Sequence, residues 1–291
     1  VYKRQREYTH IGRIPKQLHS LYMAHQCSAP QVTDTEVARR VALPVLYVLI
    51  EFCCDEHSIL CDEERFTLWP IDEHTSFQEA YTHRIVTHRL TQAIDMTSKS
   101  GLEYAESIIE EWNVQVPIIC WASLPCTWGS PLQDINAWKY PANHEQRMKQ
   151  HWQLFSDLHK KIMILMESLT KNPLNKIIYE WPRTNYLWEE QRVKDMITKY
   201  DLQPVEVDGC MLGLKSTEGV PMKKGWTLQT NLSWLAHTMH GRLCDGNHRH
   251  QTVGGKETAR TALYTAQMAY LTHTAIGIYA IEEKGRDDDS E

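Results

Sequence analysis

The feature of this sequence that most constrains its fold begins at Pro44, where short apolar runs start to alternate with longer segments of helical periodicity. Short apolar runs predict buried strands, whereas apolar residues at three- and four-residue steps predict amphipathic helices. Strands that alternate with helices are typical of a mostly parallel sheet covered on both faces. The sequence therefore predicts an α/β fold of the Rossmann-like kind.

The predicted elements follow one another along most of the chain. Strands are predicted at residues 45–50, 66–69, 85–94, 117–124, 176–180, 203–207 and 225–230. Helices are predicted at residues 98–112, 143–169, 189–200 and 256–275, and Asn143 is placed to cap the second of them. The stretch before Asn143 contains Pro131 and Pro141, which favour a loop.

The predicted organisation is one catalytic domain with short additions. Residues 1–40 are interpreted as an N-terminal extension that is truncated, and residues 1–5 resemble a translated sequencing adapter. The catalytic domain covers residues 41–280 and includes a small Cys/His-containing recognition segment at about 231–255. Residues 281–291 are predicted to be a solvated acidic tail.

Composition narrows the classes of partner and compartment. The formal net charge is −6, so a nucleic acid would have to be held by a local basic patch. No apolar run reaches the roughly 18 residues of a membrane helix, which predicts no membrane partner. The eight cysteines are few for the length and two of them, Cys53 and Cys54, are adjacent. This pattern favours reduced thiols and an intracellular protein, with cytoplasm and nucleus left open.

Reactive side chains follow the predicted strands at the point where ligands bind in α/β sheets. Strand 45–50 leads into Glu51 and its neighbours, strand 117–124 into Pro125 and Cys126, and strand 176–180 ends at Glu180. A cysteine and a carboxylate are thus expected at one edge of the sheet. That pair suits covalent catalysis, in which the thiolate attacks an electron-poor carbon and the acid stabilises charge on a ring nitrogen.

These segments resemble the cytosine-5 DNA methyltransferases, whose catalytic loop reads Pro-Cys-Gln-x-x-Ser and whose later strand ends in Glu-Asn-Val. Here Pro125-Cys126-Thr127-Trp128-Gly129-Ser130 and Glu180-Trp181-Pro182 occur in the same order. The resemblance implies a sheet of the S-adenosylmethionine-dependent methyltransferase type. It also implies that Cys126 attacks C6 of a flipped cytosine in DNA, that Glu180 bonds N3, and that C5 receives the methyl group of S-adenosylmethionine.

The resemblance extends to the residues that would hold the base. The segment Gly219-Val220-Pro221-Met222-Lys223-Lys224 is similar to the family's Gly-Val-Pro-Gln-x-Arg, with Lys224 or Lys223 in place of the arginine. Further substrate contacts are predicted for Ser130, Trp128 and Arg183, with Trp128 as a stacking platform for a base.

The cofactor pocket is predicted by position. Glu51, Phe52 and Cys53 stand where the family contacts S-adenosylmethionine, Pro125 borders the same pocket, and Asp95 is placed to accept the ribose hydroxyls. The family's glycine-rich turn and its target-recognition domain have no counterpart in this sequence.

Other interpretations stay open at each position. Cys126 could be an inert buried thiol, Glu180 could pair with Arg183, Asp95 could cap helix 98–112, and Lys223 with Lys224 could be a surface pair. At the level of function, the alternatives are a decayed, methyltransferase-like binding module of a mobile-element or viral polyprotein, and an RNA cytosine-5 methyltransferase.

A second cluster of reactive side chains occupies residues 244–250, where the sequence reads Cys-Asp-Gly-Asn-His-Arg-His. Its spacing matches no common zinc pattern, so the sequence predicts no metal. One alternative is a zinc site of Cys244, His248 and His250, completed by Cys210 or His240. The others are a polar loop, or contact of these histidines with phosphate alongside Arg242 and Arg249.

Overall fold

The computed structural model describes residues 42–62, 68–70, 81–254 and 257–288, and within them the chain forms a seven-stranded sheet. The spatial order of the strands is β2-β3-β1-β4-β5-β7-β6. The strands are β1 (Val45–Cys54), β2 (Leu68–Pro70), β3 (Tyr81–Thr91), β4 (Ile118–Ala122), β5 (Lys176–Pro182), β6 (Gln203–Asp208) and β7 (Gly225–Thr230).

Helices lie between β3 and β4, between β4 and β5, between β5 and β6, and after β7. They are α1 (Lys99–Trp112), α2 (Leu132–Lys139), α3 (His144–Leu169), α4 (Gln191–Lys199), α5 (Ser233–Thr238), α6 (Glu257–Arg260) and α7 (Ala266–Asp288). Short 3-10 helices occupy Ile59–Cys61, Tyr186–Glu189 and Gly209–Leu212. Apolar residues of α1, α3 and α4 pack on one face of the sheet, and those of α5 and α7 pack on the other.

The strand directions explain where a ligand would bind. Strands β3, β1, β4 and β5 are mutually parallel, while β7 runs antiparallel to both of its neighbours, β5 and β6. The chain moves from β1 outward to β3 and then crosses back to β4, on the other side of β1. The strand order therefore reverses between β1 and β4, and the crevice beyond their carboxyl ends is the expected ligand site. The predicted α/β, mostly parallel architecture is confirmed.

The first strand shows why the sequence carries continuous apolar runs. Val48, Ile50 and Phe52 point into the core shared with α1 and α3, and Tyr47 and Leu49 point into the core shared with α7. All five side chains are fully buried. A strand buried on both faces needs apolar residues at every position, which is typical of parallel sheets.

Several elements differ from the sequence predictions in their bounds. The loop predicted between residues 125 and 142 contains α2, a short helix without a buried residue. A helix that buries no face needs no apolar stripe, so the pattern that predicts helices is weak there. Asn143 precedes α3 in the left-handed conformation with φ 65°, and its side chain makes no cap hydrogen bond. The last helix begins at Ala266 and runs to Asp288, through most of the predicted tail, where Arg286 pairs with Glu283 at 2.6 Å.

Some predictions lie outside the described residues, namely the N-terminal extension of residues 1–40, the predicted helix start at residue 256 and the last residues, 289–291. Across the part of the chain that the structure describes, no helix has the length and apolar character needed to cross a bilayer.

Candidate active site

The loop that follows β4 holds Cys126, and two side chains from β5 and the turn after it fix this loop. The Trp181 indole N–H donates to the Leu124 carbonyl at 2.7 Å, and the Asn185 amide donates to the Cys126 carbonyl at 2.8 Å. Trp181 and Asn185 are both buried. The backbone on either side of Pro125 is therefore anchored to β5, which leaves the half-buried Cys126 thiol in a defined place.

The same two loops touch at Gly129. A Cβ at this position would lie 2.0 Å from Asn185 Oδ1 and 2.8 Å from the Leu187 nitrogen. The Tyr186 N–H also donates to the Gly129 carbonyl at 2.7 Å. Only glycine allows this close approach, so the cysteine loop and the loop after β5 form one packed unit.

The parallel strands β1, β4 and β5 have their carboxyl ends at one edge of the sheet, which we call the carboxyl edge. Glu180 lies on β5 at this edge, and its side chain is buried. Oε2 accepts hydrogen bonds from the Tyr264 hydroxyl at 2.9 Å and from Ser123 Oγ at 3.2 Å. Oε1 is buried and has no hydrogen-bond partner among the described residues. Burial raises the pKa of Glu180, against the lowering effects of Lys224, Tyr264 and Ser123. The carboxyl group is therefore shifted toward its protonated form.

Tyr264 connects this carboxylate to β4. The Trp121 indole N–H donates to the Tyr264 hydroxyl at 2.9 Å and to Ser123 Oγ at 3.0 Å, and the two hydroxyl groups also contact each other. No sequence signal pointed to Tyr264, because it lies in the turn before α7 and reaches Glu180 only through the folded sheet.

Lys224 enters the same edge from the segment between β6 and β7. Its ammonium group donates to the Thr261 carbonyl and lies 5.1 Å from the centre of the Trp226 ring. Its positive charge lowers the pKa values of both Glu180 and Cys126. Lys223 is exposed, whereas Lys224 is half-buried. The two lysines that the sequence left as alternatives therefore differ in their surroundings.

Glu180 and Lys224 both affect the pKa of the Cys126 thiol. Burial raises the pKa of its thiol, the Glu180 carboxylate raises it further, and Lys224 opposes the shift. The thiol is therefore protonated at neutral pH in the free protein. Any reaction at this sulfur must remove that proton when the substrate is bound.

The end of β1 carries an unusual backbone. Cys53 has φ 62°, in the left-handed region, and the pairing of β1 with β3 shifts register between Phe52 and Cys54. Such a conformation costs a non-glycine residue about 1 kcal/mol or more and is often found at functional sites. The strained bulge lies at the carboxyl end of β1, where the strand order reverses.

Glu51 and Phe52 precede this bulge and are both buried. The Glu51 carboxylate accepts a hydrogen bond from Ser58 Oγ at 2.5 Å, and burial raises its pKa to about 7. The Phe52 side chain lies in the core, and its carbonyl accepts the Ser123 N–H at 3.1 Å. A cofactor at this edge would therefore meet the backbone around Cys53 and not the Phe52 ring.

Asp95 lies in the exposed turn between β3 and α1. Its Oδ1 accepts hydrogen bonds from the Thr97 N–H at 3.0 Å and from Thr97 Oγ1 at 2.5 Å. These bonds lower the pKa of Asp95. The residue that caps α1 is Ser98, whose Oγ accepts the Gly101 N–H at 3.0 Å, so the alternative of Asp95 as the cap is wrong.

The predicted substrate contacts have partners within the protein. Trp128 packs on Trp152, with ring centres 4.6 Å apart. Ser130 Oγ accepts the N–H of Leu132, the first residue of α2, at 3.3 Å. Arg183 forms an ion pair with Asp208 at 3.2 Å. The pair between Arg183 and Glu180 that the sequence left open does not form.

Two further features are separate from the group formed by Cys126, Glu180 and Lys224. A shallow cavity of about 360 Å³ is lined by none of the predicted site residues, but by Pro141, Asn143, Glu145, Gln146 and Lys149. Cys210, Cys244, His248 and His250 form a cluster near the end of β6, and His240 is not part of it. All seven cysteines of the described residues are free thiols.

No protein-family model and no curated protein matches the chain. The functional inference therefore rests on the geometry of the carboxyl edge and on the motifs that lie there.

Proposed function

We propose that this protein transfers a methyl group from S-adenosylmethionine to C5 of cytosine in DNA through a covalent adduct with Cys126. The observation that carries the proposal is the buried Glu180 carboxyl group, which has a raised pKa and one oxygen without a partner in the part of the chain that the structure describes. It interacts with the Cys126 thiol and with Lys224 at the same edge. A protonated acid beside a nucleophile is what attack on a pyrimidine ring requires.

The topology supports the methyltransferase type of sheet. A reversed strand, β7, lies between the parallel strands β5 and β6, as it does in S-adenosylmethionine-dependent methyltransferases of this type. Residues 219–224, which resemble the family's base-holding motif, form the last part of the connection between β6 and β7. The motifs of the resemblance therefore occur on the elements where such a sheet would carry them.

The residues of this chain have defined parts in the proposed reaction. The thiol proton of Cys126 passes to solvent as sulfur bonds to C6, and the C5–C6 double-bond electrons move to C5. Glu180 donates a hydrogen bond to N3 through its free oxygen, which stabilises the charge that develops on the ring. When bound, S-adenosylmethionine would supply the electrophilic methyl group for C5. Loss of the C5 proton to solvent then allows the sulfur–C6 bond to break and frees Cys126.

One backbone feature at the end of β1 supports the assignment of such a cofactor. Cys53 adopts the left-handed conformation that glycine adopts in the turns that surround nucleotide-like ligands. A methionine-derived cofactor has no phosphate group, so a glycine-rich phosphate cradle is not needed. The backbone at Cys53, together with Glu51, Pro125 and the exposed Asp95, would hold it.

Covalent trapping tests the reaction. Random-sequence duplex DNA in which every cytosine is 5-fluorocytosine cannot lose a C5 proton, so we expect a denaturation-resistant adduct when S-adenosylmethionine is present. Cys126→Ser should form none, and the matched variant Cys120→Ala, at a buried thiol of β4, should still form it. Absence of an adduct with folded wild-type protein, or selective trapping of the equivalent RNA, contradicts the DNA assignment.

Cofactor binding is tested separately by calorimetric titration with S-adenosylmethionine. We expect micromolar affinity for the wild-type chain. Asp95→Ala should bind more weakly, because it lacks the carboxylate that would accept hydrogen bonds from the ribose hydroxyls. A folded, monodisperse sample that gives no heat would instead favour the binding-module alternative.

A further inference from the structure

The cluster of Cys210, Cys244, His248 and His250 has no part in the proposed reaction. One ligand atom of each residue can be chosen so that all four lie within 4.8 Å of one another. Cys244 Sγ lies 3.4 Å from His250 Nε2 and 3.9 Å from His248 Nε2. Two thiols and two imidazoles thus converge on one point between two segments of the chain.

These distances match a metal-binding geometry. Zn–S bonds are about 2.3 Å and Zn–N bonds about 2.0–2.1 Å, so a regular tetrahedron places sulfur and nitrogen ligands about 3.6 Å apart. The two sulfur–nitrogen distances of Cys244, 3.4 and 3.9 Å, fall on either side of that value. We propose that these four residues bind one Zn²⁺ ion in a closed, structural site. With four protein ligands, no coordination position is left for a substrate.

Hydrogen bonds fix the backbone around Cys244 and reach its sulfur atom. The Asp208 N–H donates to the Arg242 carbonyl at 2.8 Å, and the Cys244 N–H donates to Asp208 Oδ2 at 2.9 Å. These bonds fix the loop to the end of β6, next to Cys210 in the following 3-10 helix. The Gly246 N–H points back and donates to Cys244 Sγ at 3.3 Å. An N–H donor of this kind stabilises a metal-bound thiolate.

Charge also balances at the cluster. Binding of Zn²⁺ displaces one proton from each thiol to solvent, and the two thiolates neutralise the ion while both histidines bind as neutral imidazoles. The completed site has no net charge and can remain half-buried, as all four residues are. The ion would link the end of β6 to the loop that ends at His250.

The site would also stabilise one wall of the carboxyl edge. Immediately after His250, the Gln251 N–H donates to the Pro221 carbonyl at 2.8 Å, and Gln251 forms a bridge with Met222. Pro221 and Met222 belong to the segment that ends at Lys224. The metal would therefore hold the loop against the segment that positions Lys224, whatever reaction that edge performs.

Metal content is the direct test. The full chain, expressed with added Zn²⁺, kept reduced and dialysed, should contain about one equivalent of zinc by elemental mass spectrometry, as a four-ligand site predicts. Cys244→Ser and His250→Ala should lose most of it. His240→Ala and Cys126→Ser, which alter a nearby histidine and a cysteine outside the cluster, should retain it. Co²⁺ in place of Zn²⁺ should give a thiolate charge-transfer band that is weaker in Cys210→Ser.

A second measurement on the wild type covers the case in which a variant does not fold. Removal of the ion by a chelator should expose two additional thiols to a thiol reagent and lower the midpoint of thermal unfolding. Folded wild-type protein that holds no zinc, a disulfide between Cys210 and Cys244, or zinc retained in the double variant Cys210→Ser/Cys244→Ser would overturn the proposal.

Discussion

The carboxyl edge and the Cys/His cluster both place cysteine beside titratable side chains, but they are assembled in different ways. At the edge, Cys126 meets Glu180 and Lys224, which come from separate elements and are brought together by the sheet. In the cluster, three of the four residues belong to one short loop, and only Cys210 comes from elsewhere. The edge buries acids and keeps its thiol protonated, whereas the cluster brings together two cysteines and two histidines without a carboxylate among them. Neighbouring groups, and not the cysteine itself, thus set the chemistry of each region.

The comparison predicts that the stability of the edge depends on pH, and the largest effect is expected at Glu51. Its pKa is about 7 in the folded protein against 4.5 without burial. Because the folded pKa is the higher one, the folded state favours protonated Glu51. This contribution to the free energy of unfolding is fully present below pH 4.5 and is lost as the pH rises through 7. The difference corresponds to about 3 kcal/mol of the free energy of unfolding. Denaturant titrations of wild type and Glu51→Gln from pH 4.5 to 8 measure it.

The difference between the two proteins isolates this carboxyl group. Burial lowers the pKa values of His159 and His273 to about 4, which acts in the opposite direction below pH 6.5, but both proteins share it. Glu111→Gln, at an exposed position, should run parallel to wild type. If wild type and Glu51→Gln run parallel over the whole range, burial does not raise the Glu51 pKa and the contrast between the two regions fails.

The sequence predicted which reactive residues lie at the carboxyl edge, but it did not predict the side chains that form hydrogen bonds with them. Cys126 and Glu180 could be placed together because parallel strands bring their carboxyl ends to one edge, and each residue follows an apolar run. Tyr264, Ser123 and Asn185 were missed, since their contacts depend on segments far apart in the chain. A polar side chain that acts through such a contact leaves no periodic pattern in the sequence.

The cluster shows the opposite case. The sequence contained Cys244, His248 and His250 in one loop, yet their spacing alone predicted no metal. The proposed fourth ligand, Cys210, belongs to a 3-10 helix after β6, and hydrogen bonds between Asp208 and the loop backbone help to bring the two together. Zinc patterns that are read from sequence rely on local ligand pairs, so a site completed by a distant residue is not recognised.

The smallest effects should distinguish the two regions through one glycine in each. Gly129→Ala places a Cβ 2.0 Å from Asn185 Oδ1, so the packed loops must move, at about 2 kcal/mol of stability. Gly246 has φ 83° and open space around it, so Gly246→Ala costs about 1 kcal/mol, from backbone strain alone. Denaturant unfolding measures both costs. Adding Asn185→Ala should relieve part of the Gly129→Ala cost and none of the Gly246→Ala cost. Equal relief in both would show that the edge is not packed more tightly than the cluster loop.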